Sequence, residues 1–238
     1  MCSNHIGCTM KYCDTSKVTI IRTTKSVVQN IITKKHYAKK WTESKHIYAI
    51  YWDEGESEFF EDRKLKLIGA ILYGHPVGFR VVKSISDELE NGDVLEIRRL
   101  WIEDGYGKNI ESYVISQTLK MVKKYSPQTK IVISFADPSV NHKGIIYRAC
   151  NFYYQGENPS SIGSNKYQYR YPNSKVWMST RAMKNKVGTS GHMGILNKIP
   201  DIEYRKSLVK YRYLYFLCNR KEKKRLIKSL KYPLVSYD

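Results

Sequence analysis

Acidic residues are scarce in this sequence. Twenty-two Asp and Glu stand against 41 Lys and Arg, a formal charge of +19 before histidine is counted. Solubility alone does not call for so large an excess, which points to a polyanionic partner, nucleic acid ahead of an anionic membrane surface. The excess is steepest over residues 181–238, with 15 basic and 4 acidic side chains. Long apolar runs are also missing. Nothing approaches the roughly 18 uninterrupted apolar residues of a membrane span. The N-terminal MCSNHIGCTMKYC lacks the basic-then-apolar order of a secretory signal. Both absences lead us to expect a cytoplasmic protein with no membrane partner. Cysteines number five, and the odd count fits reduced thiols better than a disulfide framework. His5, Cys8 and Cys13 lack the fourth ligand and the spacing of a metal knuckle, so residues 1–25 read as a flexible N-terminal segment with free thiols. Internal repeats and low-complexity runs are absent.

A hydrophobic content of 42% supports a packed core. At 238 residues the chain fits one large domain, or a domain of about 150–180 residues with an extension. We divide it into a catalytic domain, 26–180, and a basic C-terminal extension packed on it, 181–238. The organising stretch is 131–156, IVISFADPSVNHKGIIYRACNFYYQG. An apolar strand ends near Ala136, Pro138 and Asn141 break it, a short helix spans 144–149, and an aromatic strand begins at Phe152. Asp137 and His142 occupy the loop at the strand's C-terminal end, where active groups gather in α/β folds.

Upstream, Val27, Val28, Ile31 and Ile32 have helical spacing over 26–35, with Ser26 as cap. His36-Tyr37 follows at the helix end. Residues 47–52 and 67–73 read as strands, and the acidic stretch 53–62 between them as a hairpin loop. Residues 93–103 (DVLEIRRLWIE) alternate imperfectly, which predicts a bulge or a strand buried on both faces. A polar turn, DGYGKN, opens the clearest helix, 111–125, striped by Val114, Ile115, Leu119 and Val122. Strand, helix, strand over 93–136 predicts a βαβ unit with parallel pairing. Residues 166–172 alternate tyrosine with polar groups, with 176–179 as a partner strand. After a flexible GTSGHMG (188–194), residues 210–218 alternate again and 221–230 form a basic helix.

Three strands, a glycine turn opening a helix, then strand, loop, helix and aromatic strand resemble the GNAT acyltransferase fold: an α/β (α+β) protein with a central mixed, twisted sheet flanked by helices. That resemblance implies an acyl-coenzyme A donor, such as acetyl-coenzyme A, with its pyrophosphate on backbone amides at the helix N-terminus. The matching residues here are Gly105, Gly107, Lys108, Asn109 and Ser112, which depart from the usual Arg or Gln followed by spaced glycines. Within the superfamily, His36-Tyr37, EIRRLW (96–101), KNIES (108–112), SFAD (134–137), residues 142–156 and KYRY (210–213) resemble, in order, the phage Mom group of DNA-modification proteins. The likeness spans roughly residues 26–232, although each motif is short. It implies modification of the 6-amino group of adenine in double-stranded DNA, protecting that DNA from restriction.

The exocyclic amine of adenine is a poor nucleophile because its lone pair is delocalised into the ring, so chemistry there needs a placed base and an in-line electrophile. Asp137 is the first candidate base, or a metal anchor; its plain alternative is a turn-capping carboxylate. His36, Tyr37 and Asp137 together offer nitrogen and oxygen donors suited to ferrous iron, although a helix-end histidine beside a core tyrosine serves structure equally well. Ser134 can orient substrate or simply pack. Glu96 is a second candidate base, or a partner of Arg98 or Arg99. His142 can act as acid or base, or contact backbone. The GNAT resemblance makes Tyr147 a general acid for the leaving group, with a core aromatic as alternative. Twenty tyrosines and four tryptophans provide surfaces against which a flipped base can stack. Arg170, Arg212, Arg220, Lys221, Lys223, Lys224 and Arg225 are candidate phosphate contacts.

The reading that unites charge and motifs is a transferase adding a small acyl-derived, carbamoylmethyl-like group to adenine in DNA. Two others are an acetyl-coenzyme A-dependent N-acetyltransferase acting on a protein or small amine, and a non-catalytic DNA-binding module on the same scaffold. The oligomeric state, a homodimer included, stays open.

Overall fold

A computed structural model describes residues 11–57, 60–77, 80–158 and 167–236, without the side chains of 56, 57 and 60–63. His5, Cys8, and residues 58, 59 and 166, which entered the expectations above, lie outside the described residues.

The chain runs β1 (Val18–Arg22), α1 (Lys25–Lys34), β2 (His46–Ser57), β3 (Phe60–Gly74), α2 (Arg80–Ile85), β4 (Val94–Ile102), α3 (Ile110–Tyr125), β5 (Ile131–Ala136), α4 (Ile145–Ala149), β6 (Tyr153–Glu157), β7 (Tyr167–Arg170), β8 (Met178–Ser179), α5 (Thr180–Val187), α6 (His192–Lys198), β9 (Glu203–Lys206), β10 (Tyr211–Phe216) and α7 (Arg220–Lys228). Among the described residues, seven strands form one sheet in the order β1-β2-β3-β4-β5-β10-β6, and three form another, β8-β7-β9.

The period-2 pattern of β5 explains why it is central. Val132 and Ala136 face the core beneath α3, while Ile131 and Ile133 face a second core covered by α2 and α7. A strand buried on both faces reads as a continuous apolar run, as IVISFA does. α3 buries Val114, Ile115, Thr118, Leu119 and Val122 on one stripe and carries Lys123 and Lys124 in its last turn, where the helix dipole favours cations. It returns the chain so that β4 and β5 run parallel, pairing only from Val94↔Ile131 to Glu96↔Ile133. Beyond that point the two strands part. The expected bulge is there: Leu72 opposes Arg99 and Tyr73 opposes Ile97, leaving Arg98 without its own partner across β3.

Several expectations are corrected. Residues 11–25 are not a loose segment, because β1 pairs antiparallel with β2 and Val18 is buried in the main core. The helix after β1 starts at Lys25, with Thr24 in the cap position, so Ser26 lies inside the first turn. The acidic stretch is not a loop: β2 continues to Ser57 and β3 begins at Phe60, with register shifts after Asp53, and Glu54 pairs with Lys64 at 3.1 Å. Residues 188–194 are a helix corner, in which Gly188 ends α5 at φ 76° and His192 opens α6.

The largest correction concerns the C-terminal region. β10 lies between β5 and β6 in the main sheet, antiparallel to both, and α7 buries Leu226 in the core beneath that sheet. A boundary at residue 180 therefore cuts across the architecture. Residues 211–228 complete the main body, whereas 167–206 form the smaller sheet with its own core of Tyr169, Met183, Ile195 and Ile202.

Candidate active site

The parting of β4 and β5 opens a cleft of about 600 Å³. Its walls are β4 from Glu96 to Ile102, the end of β5, the loop 141–144 leading into α4, the turn after α1, and Lys210. The bulge at Arg98 turns Arg98 and Arg99 away from simple alternation. Arg98 donates to the carbonyl of His75 and to Thr42 Oγ1, and Arg99 to the carbonyls of Lys40 (3.3 Å) and Arg98 (2.6 Å). Both guanidiniums are thereby fixed without either being neutralised by a close carboxylate. Burial pulls the Arg99 pKa down, partly offset by Tyr37 and Glu96.

Two carboxylates stand at this end of the sheet, in opposite environments. Glu96 lines the cleft, and its burial pushes the carboxyl above its usual value despite Arg98, the Val77 N–H at 3.3 Å, Lys210 and Arg99. Asp137 is also partly buried, but Ser139 and Lys210 outweigh that and hold it below the usual value. Asp137 Oδ1 accepts from the Ser139 amide (3.0 Å) and hydroxyl (2.5 Å), while Oδ2 pairs with Lys210 Nζ at 3.0 Å. The capping alternative for Asp137 is thus the one realised, around Ser139 rather than at 141–144. Of the two, Glu96 is the carboxyl that lines the cleft. It does not form the close ion pair with Arg98 or Arg99 expected as its alternative, because those guanidiniums are aimed at carbonyls. Two carboxyls whose environments separate their pKa values are the usual mark of divided roles.

His36 is 4% exposed, and burial, helped by Arg99 and His142, holds its pKa down to about 4. Its Nδ1 accepts the Ala38 N–H at 3.1 Å, so the neutral ring carries its proton on Nε2 and acts as a donor. Tyr37 lies against it at 4.3 Å between ring centroids, and meets the His142 ring edge-on at 5.3 Å. These three rings form one cluster at the cleft mouth. The donor set expected for iron does not assemble: both Asp137 oxygens are committed to Ser139 and Lys210, and Asp137 is absent from the cleft wall. Among the described residues no three His, Cys, Asp or Glu side chains form a metal cluster.

Tyr147 combines its two alternatives. It packs 5.4 Å from both Phe152 and Tyr213, and it lines the cleft. Burial pushes its phenol to about 12, only partly offset by Ser134, so it keeps its proton near neutrality. Ser134 itself is fully buried, and its Oγ lacks a well-formed hydrogen bond. The loop that carries His142 is anchored by Tyr213, whose hydroxyl donates to the Lys143 carbonyl at 2.7 Å. A Cβ on Gly144, at φ 76°, would come within 2.4 Å of that tyrosine ring.

The proposed cofactor loop is built differently from expectation. Residues 11–13 run alongside it: the Lys108 N–H donates to the Lys11 carbonyl (2.9 Å), and the Cys13 N–H donates to the Lys108 carbonyl (3.0 Å). A Cβ on Gly107 would sit 2.7 Å from Cys13 Cα. That glycine therefore admits the chain's own backbone. Gly105, at φ 102°, faces open space, and Ser112 Oγ donates to the Asn109 carbonyl at 2.9 Å. Lys108, Asn109 and Ser112 line a second cavity of about 410 Å³ between α3 and α4. A pyrophosphate reaches the Lys108 amide only after residues 11–13 move away.

The candidate phosphate contacts divide. Arg212 is corrected outright: it is 0% exposed, opposite Phe135 in the sheet, and its Nη1 donates to Ser84 Oγ at 3.0 Å. Arg170 is held by Glu203 and lies over Trp177. On α7, Arg220, Lys221, Lys224 and Arg225 are exposed, with Arg225 3.6 Å from Glu88, while Lys223 covers the Tyr153 ring at 4.6 Å. Sequence reasoning missed Lys210, Arg99 and Trp101 as cleft residues. The EIRRLW motif held the signal for the last two and KYRY (210–213) for Lys210, although strand order alone brings Lys210 to Asp137.

The molecule is thus an α/β protein whose mixed sheet parts at its one described parallel pair, over a cleft that holds a raised carboxyl and a protonated phenol. The model of the Mom protein family matches residues 17–234, and the chain belongs to that family. It is 26% identical over 203 residues to the methylcarbamoylase mom of Escherichia phage Mu, covering 84% of this chain and 75% of that protein. Among solved structures it is similar to Arabidopsis thaliana NAA60 in complex with acetyl-CoA (TM-score 0.45, 11% identity, 84% of this chain and 99% of that one). It is also similar to the IAA acetyltransferase from Bacillus cereus (TM-score 0.42, 10% identity, 84% and 99%).

Proposed function

We propose that this protein transfers a small acyl-derived group, of the methylcarbamoyl or carbamoylmethyl kind, to the exocyclic amine of adenine in DNA. The observation that carries the reading is Glu96, a cleft carboxyl raised by burial, in a chain of the Mom family whose phage Mu relative is named a methylcarbamoylase. The charge of +19 suits a polyanionic substrate.

In this mechanism the flipped adenine enters between the aromatic cluster of His36 and Tyr37 and the β4 wall. Glu96 takes a proton from the amine as its nitrogen bonds to the electrophilic carbon of the donor. The bond from that carbon to the leaving group breaks, and Tyr147 supplies the proton the departing group needs. His36 Nε2–H and the fixed guanidinium of Arg99 offer donors for negative charge that develops on the transferred group. An acyl-coenzyme A serves as donor only if residues 11–13 vacate the loop before α3.

Nucleoside mass spectrometry on plasmid DNA from expressing cells tests the reading. A heavier deoxyadenosine species should appear with the parent protein and be absent with Glu96→Gln. Unmodified DNA from soluble parent protein would overturn it.

A further inference from the structure

We infer that the small sheet of β7, β8 and β9 with α5 and α6 is a DNA-engaging module, and that edge strand β9 with the Arg170–Trp177–Arg205 stack meets the phosphate backbone. This rests on the proposed reading of the cleft as an adenine-modifying site.

Placement is the first argument. The module is inserted between β6 and β10. Tyr211, the first residue of β10, pairs with Ala136 at the end of β5 and with Glu157 at the end of β6. The Asn158 N–H donates to the Lys210 carbonyl at 2.7 Å. Both stems of the module therefore rise from the end of β5 at which the cleft opens. β9 ends at Lys206, four residues before the cleft residue Lys210. At no more than about 3.5 Å per residue, Lys206 lies within about 14 Å of it.

Chemistry is the second. Residues 167–206 hold eight Lys and Arg against two Asp and Glu, a net +6. Every residue of β9 is exposed, and among the described strands it pairs only with β7. Beside it, the Trp177 ring lies 4.7 Å from the Arg170 guanidinium and 4.3 Å from that of Arg205. Glu203 fixes Arg170, and Gln168 Oε1 accepts from Arg205 Nε at 2.8 Å. Glu203 offsets the charge of Arg170, so the stack presents the Arg205 guanidinium, which is already held on the indole and loses little rotamer freedom on binding. A fork of this kind suits phosphate oxygens, contacts that position a duplex without reading its sequence. The module has its own core, and His192 ties α6 to the sheet, stacked on Tyr167 at 3.9 Å and bonded to Tyr169 Oη at 3.0 Å. The charge is therefore displayed on a rigid body.

The test is fluorescence anisotropy of full-length protein with a fluorescein-labelled 20-base-pair duplex, titrated in NaCl. Each phosphate contact contributes about 0.9 to the slope of log K against log salt. Arg205→Glu/Lys206→Glu should lower that slope by roughly 2 and weaken binding at 100 mM salt at least tenfold. The same charge change on the exposed face of α3, Lys120→Glu/Lys124→Glu, should do much less. Equal effects of the two pairs, or no effect at β9, would overturn the inference, as would equally tight binding of a single-stranded RNA of the same length. The milder pair Arg205→Gln/Lys206→Gln, checked by circular dichroism, separates lost contact from lost fold. No chemistry enters this readout, so failure of the modification reading is scored separately by mass spectrometry.

Discussion

Lys210 Nζ stands 3.0 Å from Asp137 Oδ2, a pair that joins the residue before β10 to the loop after β5. The pairing places the two carboxylates in different electrostatic environments. Asp137 is held ionised by Lys210 and Ser139, whereas Glu96 faces the cleft with its carboxyl raised by burial.

Glu96→Gln should cost about 10²–10⁴-fold in modification rate with a melting temperature close to that of the parent, as loss of a general base does. Asp137→Asn should mainly cost stability, because it leaves Lys210 without its close carboxylate. A lower melting temperature with rate changed less than tenfold is the expected signature. The acid limb of the rate profile should lie above the ordinary Glu value near 4.5, because the base works only when deprotonated.

Acid stability should follow two buried histidines. Burial first, with nearby cations, holds His36 and His46 each at about 4, against an ordinary 6.5. Their folded forms resist protonation, so the stability they protect is complete above about 6.5 and is lost as pH falls toward 4. At pH 5 each group costs roughly 2 kcal/mol relative to pH 8 by this linkage. Urea denaturation at the two pH values should show the loss, and His46→Gln should recover part of it by removing one titration.

Gly144→Ala should destabilise the protein by about 2 kcal/mol or more. Its φ of 76° disfavours any side chain, and the new methyl would run into the Tyr213 ring. The His142 loop rests on that ring, so modification should fall along with the melting temperature.

Cys13→Pro removes the N–H that donates to the Lys108 carbonyl. With one hydrogen bond worth about 1 kcal/mol, residues 11–13 should release the loop roughly fivefold more often. Calorimetry with acetyl-coenzyme A should then show tighter binding by the variant than by the parent. Equal binding would mean that the loop before α3 is not where a pyrophosphate sits.

Local pattern alone determined much of this protein. IVISFA, the stripe of α3, the irregular alternation of EIRRLW and the Tyr-rich alternations each specify an element through period and propensity, which depend on near neighbours in the chain. The cleft residues Glu96, His36, Tyr37 and Tyr147 were legible for the same reason, each lying at the end of, or within, a recognisable element. Tertiary structure alone decided how these elements share space. KYRYLYF announces a strand, but only long-range pairing places it between β5 and β6. That placement buries Arg212 and brings Lys210 to Asp137. Residues 11–13 likewise reach the α3 loop only in the folded chain. Charge and hydrogen bonding act over a few ångströms of space, and the spatial neighbours that set the pKa of Glu96 and Asp137 are settled by strand order, which no local stretch of sequence encodes.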